Sequence, residues 1–120
     1  SKGSCAMSTW HLVENLKPNY VNAVASVKSS PQFNPQTWKV FLARYGEGAS
    51  IESVANQFKI KYDTVRKQCQ RVFCKLLQNM EWGDETDDMV ESQFDGDANE
   101  LRDAKKDLLN VLVRSYGDPL

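Results

Sequence analysis

The sequence predicts an all-α protein: a small helical bundle containing a helix-turn-helix, followed by an acidic segment and a C-terminal amphipathic helix. Three observations carry that prediction. Apolar residues recur at helical spacing through residues 10–27, 38–45, 54–76 and 101–115. Helix start and stop signals stand between those stretches, at Asn34-Pro35, Gly46, Gly48, Ser50 and Gly117. The charge balance inverts near residue 80: residues 1–80 hold 11 Lys and Arg against 4 Asp and Glu, a net +7, and residues 81–120 hold 4 against 12, a net −8. With 120 residues, 41% of them hydrophobic, there is room for one small core, with or without an appended segment.

Residues 1–8 read as disordered, in part a cloning remnant. The helical domain is expected over residues 9–80. It opens with Trp10, Leu12, Val13 and Leu16 as one apolar cluster. Pro18 is expected to end or kink that helix, because its ring clashes with the preceding turn. Tyr20, Val21, Val24 and Val27 then fall on one face of a second helix, which Ser29-Ser30-Pro31 breaks. His11, the only histidine, has no Asp or Cys partner nearby in sequence and reads as a surface residue.

Asn34 is a predicted N-cap with Pro35 at the first helical position. The helix they open carries Trp38, Phe41, Leu42 and Tyr45 at i, i+3, i+4 and i+7, a stripe expected to pack on the helix-turn-helix. Gly46 and Gly48 end it and form an elbow.

Residues 50–77 are the predicted helix-turn-helix. Ser50 caps a first helix over Ile51–Phe58, Lys59 to Tyr62 make the turn, and a second helix starts at Asp63 and runs to about Leu77. Val54, Ala55, Phe58, Ile60, Val65, Val72 and Leu76 supply the small core of the corner, and Ala55 lets the second helix cross close to the first. The outward positions of that second helix are polar or basic: Thr64, Arg66, Lys67, Gln68, Gln70, Arg71 and Lys75. Such a face can place charges on phosphates and amide or guanidinium forks on base edges. Basic faces are also common on solvated helical hairpins that bind nothing.

From Phe33 to Asn79, 47 of the 120 residues, the chain resembles the C-terminal, promoter-reading domain of bacterial sigma factors, the extracytoplasmic-function type in particular. The segments that carry the likeness are TWKVFLARY, GEGAS, IESVANQF, KIKY, DTVRKQCQRV and FCKLL. The resemblance implies duplex promoter DNA as the ligand. Arg66, Lys67, Gln70 and Arg71 would face the major groove, and Lys59, Lys61 and Thr64 would lie near the backbone, with Lys75 on the same basic helix. It also implies RNA polymerase or an anti-sigma-like protein as a partner. Two positions depart from the family. Lys59 stands where glycine is usual, so a differently built turn is expected, since non-glycine residues seldom take positive φ. Asp63 stands where a small residue is usual; it suits a helix N-cap and would repel a phosphate. The family's promoter-melting domain has no counterpart in residues 1–33, so the chain reads as a fragment or as a protein borrowing only the reading fold.

Residues 81–97 are expected to be an acidic linker or interaction segment. Nine acids and no Lys or Arg lie between Glu81 and Glu100, with Met89, Val90 and Phe94 among them. Asp97 with Glu100 is capping-box-like. The last helix, over residues 98–116, is expected to bury Leu101, Ala104, Leu108, Val111, Leu112 and Ser115 against the domain's own core, a second copy or a partner, and Gly117 closes it.

No catalytic residue is assigned, because no nucleophile-base arrangement or glycine-rich phosphate loop is present, and an enzyme is not expected. No cofactor and no metal site are expected either. Cys5, Cys69 and Cys74 form no disulfide framework and have no zinc spacing; they read as reduced thiols. No apolar run approaches the roughly 18 residues of a membrane span, so a cytoplasmic, nucleoid-associated protein is expected. Three functions stand: a DNA-binding transcription regulator, an interaction module of the transcription machinery that does not read DNA, and a small viral DNA-packaging or recombination subunit that oligomerises through its C-terminal helix.

Overall fold

A computed structural model of the protein describes residues 2–82 and 98–120, except for the side chains of residues 2–10 and 98–101. Everything regular in them is helical, in the order α1 (Lys2–Lys28), α2 (Pro35–Phe41), a wide turn (Leu42–Gly46), α3 (Ile51–Phe58), α4 (Tyr62–Asn79) and α5 (Ala98–Tyr116). No strand occurs among the described residues. The all-α prediction is met. Of the acidic segment expected over residues 81–97 only Glu81 and Trp82 are described, Trp82 packing against the core; residues 83–97, with the cap at Asp97, lie outside the described residues, as does the side chain of Leu101.

α1 corrects two expectations. It starts at Lys2, so residues 2–8 are helical, and it crosses Pro18 without a break. The reason is the side on which the proline lies. Pro18 and Glu14, whose carbonyl loses its amide partner, are both exposed, so water can satisfy that carbonyl. The opposite side of the helix buries Leu12, Val13, Leu16, Tyr20, Ala23, Val24 and Val27 in one core, holding both halves in line.

α2 starts as expected. The Asn34 Oδ1 accepts the backbone N–H of Gln36 at 2.9 Å and of Thr37 at 3.4 Å, and Pro35 follows. The helix then widens over Leu42–Gly46, where the Glu47 N–H bonds the Leu42 carbonyl at 2.9 Å. The Trp38–Phe41–Leu42–Tyr45 stripe packs on the helix-turn-helix as expected, but mainly on the C-terminal half of α4 rather than on the α3–α4 corner. It packs with α1, the C-terminal half of α4 and α5. The corner is met instead by Val40 and Ala43, on the other side of the same helix. Tyr45 touches both groups, its ring 5.0 Å from that of Phe41 and 5.2 Å from that of Phe73.

α5 covers the chain's own core. It buries Leu108, Leu109, Leu112 and Val113, a face turned away from the predicted one: Val111 is 37% exposed and Ser115 lies outside. Gly117 closes it with φ 55 and its N–H on the Val113 carbonyl at 2.7 Å. Beyond it the tail is tied down. The Tyr20 hydroxyl donates to the Gly117 carbonyl. Asp118 Oδ2 accepts Lys28 Nζ at 2.6 Å and Trp38 Nε1 at 3.2 Å. Burial pushes the Tyr20 hydroxyl far above its ordinary range, and the nearby Asp118 charge adds to this, so it stays a donor. Burial opposes ionisation of Asp118, but hydrogen bonds from Lys28, Trp38 and the Leu120 N–H, with the Lys28 charge, outweigh it and hold the carboxyl below its usual value.

Candidate nucleic-acid interface

α3 and α4 meet at a corner of three residues. Ser50 Oγ accepts the Ser53 N–H at 3.1 Å and opens α3, as its position predicts. α3 ends at Lys59, which takes the left-handed conformation, φ 57 and ψ 46. The Ile60 N–H then bonds the Ala55 carbonyl at 3.0 Å, and Ile60 packs on the same small core as Ala55. This is the hydrogen bond and apolar contact of a Schellman C-cap, with lysine in the position glycine usually holds. The turn is therefore not built differently; it keeps the left-handed residue and carries its strain.

α4 begins at Tyr62, one residue before expectation, so the turn is Lys59 to Lys61 and Asp63 is not the cap. Lys61 occupies the cap position without a side-chain bond to the helix. Asp63 lies inside the first turn, where its charge suits the helix dipole. It also reaches Arg66 at 3.8 Å in an exposed pair, which contributes little. α4 continues two residues past Leu77, to Asn79.

The corner core is small: Val40, Ala43, Val54, Ala55, Val65 and Cys69 are buried, with Phe58 and Ile60 at its edge. Val72 and Leu76 belong to the larger core instead. Burial pushes the Cys69 thiol up to about 11, with Arg44 opposing, so it stays protonated and inert. Burial likewise raises the Tyr45 hydroxyl, Cys69 adding to it. Cys74 is exposed.

Of the eight predicted contact residues, Lys59, Lys61, Arg66, Lys67, Gln70 and Arg71 are exposed, while Thr64 and Lys75 are half-buried. They do not share one face. At 100° per residue, Lys67, Arg71 and Lys75 recur every fourth position with Thr64 on the same side, and Arg66 and Gln70 form a second row. Arg66 and Gln70 border a cleft of about 670 Å³ whose far wall is α5, with Asp103, Lys106 and Asp107. Arg71 and Lys75 border a separate cleft of about 550 Å³ toward Phe33 and Trp38, and no acid among the described residues lines it.

Two residues outside the eight also stand on this surface, one of them, Gln68, already among the outward positions of the second helix. Tyr62, between Lys61 and Asp63 at the start of α4, is 54% exposed; an aromatic beside a lysine-bearing turn was a signal in the sequence. Gln68 is half-buried on the Arg71 side, and its Oε1 is buried with no hydrogen-bond partner, which periodicity alone does not reveal. His11 is exposed and meets Asn15 at 3.0 Å. Among the described residues no three or more His, Cys, Asp or Glu gather as a metal site would need, and no helix is long and apolar enough to cross a membrane.

No protein-family model, no curated protein and no solved structure matches the chain.

Proposed function

We propose that the protein is a DNA-binding transcription regulator that reads duplex DNA with α4, after the manner of the sigma-factor domain whose motifs residues 33–79 resemble. One observation supports this most. From Thr64 to Met80 the chain holds Arg66, Lys67, Arg71 and Lys75 and no acid, and three of these four cations are exposed on a helix held by a three-residue turn. The N-terminal half of such a helix is the part that meets base edges when it enters the major groove. Arg66, Lys67, Gln70 and Arg71 are its readers; Lys59, Lys61 and Thr64 meet the flanking backbone. RNA polymerase or an anti-sigma-like protein would be the protein partner, and the nucleoid the place of action.

Duplex binding by fluorescence anisotropy, at two salt concentrations with the full chain, tests it. Affinity falls with salt, and Lys67→Ala and Arg71→Ala each flatten the salt slope by about one phosphate contact or cost about 1–3 kcal/mol of sequence discrimination. Absence of binding at low salt sinks the proposal and leaves the interaction-module reading. A ring-like oligomer of the full chain in solution would favour the packaging-subunit reading instead.

A further inference from the structure

The two flanks of α4 differ in what they face. On the α5 side the cleft beside Arg66 and Gln70 already contains Asp103 and Asp107, so its cations have acids near them. On the other side the cleft between α4, the end of α1 and the start of α2 has Arg71 and Lys75 on one wall and, among the described residues, no carboxylate in its lining. Its volume, about 550 Å³, lies in the range of pockets that hold a small organic ligand. Val27, Phe33 and Val72 give it apolar surface. Gln68 lines it too, with a buried Oε1 that accepts no hydrogen bond. A buried acceptor left empty is penalised until a donor reaches it.

We propose that this cleft docks an acidic peptide segment of a partner protein. A carboxylate of that segment pairs with Arg71 and Lys75, an aliphatic side chain packs on the half-buried Phe33, and the Gln68 amide turns outward so that a main-chain N–H donates to its Oε1. Each part of the cleft then has its complement. A DNA backbone meets only the first need, because a phosphodiester carries no N–H or O–H. A stacked base is disfavoured as well. Trp38 is only 4% exposed, and Phe33 already packs against it with ring centroids 6.3 Å apart. The inference does not rest on the DNA reading, but the two share Arg71, so an acidic segment seated here competes with duplex DNA.

The test is anisotropy of a short fluorescein-labelled peptide of aspartate, glutamate and serine with one central leucine, titrated with the full chain. Binding is saturable. Arg71→Glu and Lys75→Glu each weaken it roughly tenfold. Gln68→Leu weakens it several-fold while leaving the melting temperature unchanged or higher, as removal of an unpaired buried acceptor should. Lys39→Glu, the same charge change on the exposed side of α2, stays within roughly twofold. Equal binding of the leucine-free peptide reduces the site to a charged surface and overturns the proposal. So does displacement of the peptide by adenosine monophosphate, or unchanged affinity in Gln68→Leu. Duplex DNA in the same assay separates the two readings: peptide binding without DNA binding sustains this one alone, and DNA binding without peptide binding overturns this one alone.

Discussion

The two hydrophobic cores are built from different side chains and do different things. The larger one joins α1, α2, α4 and α5 around Tyr20, Trp38, Phe41, Phe73 and Leu112. Its aromatic rings run in sequence, Trp38 to Phe41 at 5.5 Å, Phe41 to Tyr45 at 5.0 Å and Tyr45 to Phe73 at 5.2 Å. The smaller one, under the α3–α4 corner, contains two alanines, three valines and a cysteine. Small side chains let helix axes approach closely, which a tight corner needs, but each buries little area. α2 and α4 bridge the two: Val40 and Ala43 look one way from α2 and Trp38 and Phe41 the other, while Val65 and Cys69 lie in the corner and Val72, Phe73 and Leu76 in the large core. Global stability therefore belongs mainly to the large core, and the orientation of the proposed reading end of α4 to the small one.

The sharpest way to break that division is a pair of truncations. Phe41→Ala removes a fully buried ring from the aromatic run and should cost about 3–5 kcal/mol in urea unfolding. Val54→Ala, equally buried in the corner, should cost about 1–3 kcal/mol yet weaken DNA binding more per unit of stability lost. If the Phe41 variant retains near-normal stability, the large core is not the main source. A smaller effect is expected at the corner turn. Lys59→Gly relieves a left-handed lysine and should stabilise by about 1 kcal/mol, while removing one cation from the DNA side. Loss of stability there would mean that the lysine stem contributes packing not visible at an exposed position.

The smallest effect concerns the tail that closes the large core. Asp118 has its carboxyl held below the ordinary Asp value, so it contributes stability above about pH 3.9, and that contribution disappears as pH falls through the lowered folded value. Asp118→Asn should be less stable than the parent near neutrality and converge with it in acid. Thermal melts across that window, read by tryptophan fluorescence, check the convergence; parallel curves would show that the Lys28 contact contributes nothing.

Local chemistry was the legible part of this fold. Asn34, Ser50 and Gly117 declared helix ends because a cap is decided within a few residues. Pro18 misled for the same reason: the local rule is sound, but whether a lost hydrogen bond breaks a helix depends on which side meets water. The assignment of α2's two faces to two cores could not be read, because Val40 and Trp38 are both apolar and only the tertiary arrangement distinguishes them. The turned face of α5, with Leu109 and Val113 inside rather than Val111 and Ser115, is a similar case. Of the candidate site, the cations were legible in the repeat of charges along α4. Their division between an acid-lined and an acid-free cleft was not, since Asp103 and Asp107 come from a helix some forty residues away in sequence.

The bonds between Tyr20 and Gly117 and between Lys28 and Asp118 span 97 and 90 residues. Closing such long loops is slow compared with forming the local α3–α4 corner. During synthesis, α1 is made before α5 but meets its end only after residue 118 has been added. Until then its apolar face, with Leu16, Val24 and Val27, lacks its final cover. The corner, complete by Asn79, can assemble earlier. The order of assembly should thus run from the α3–α4 corner outward, with α1 among the last helices to be fully sheltered.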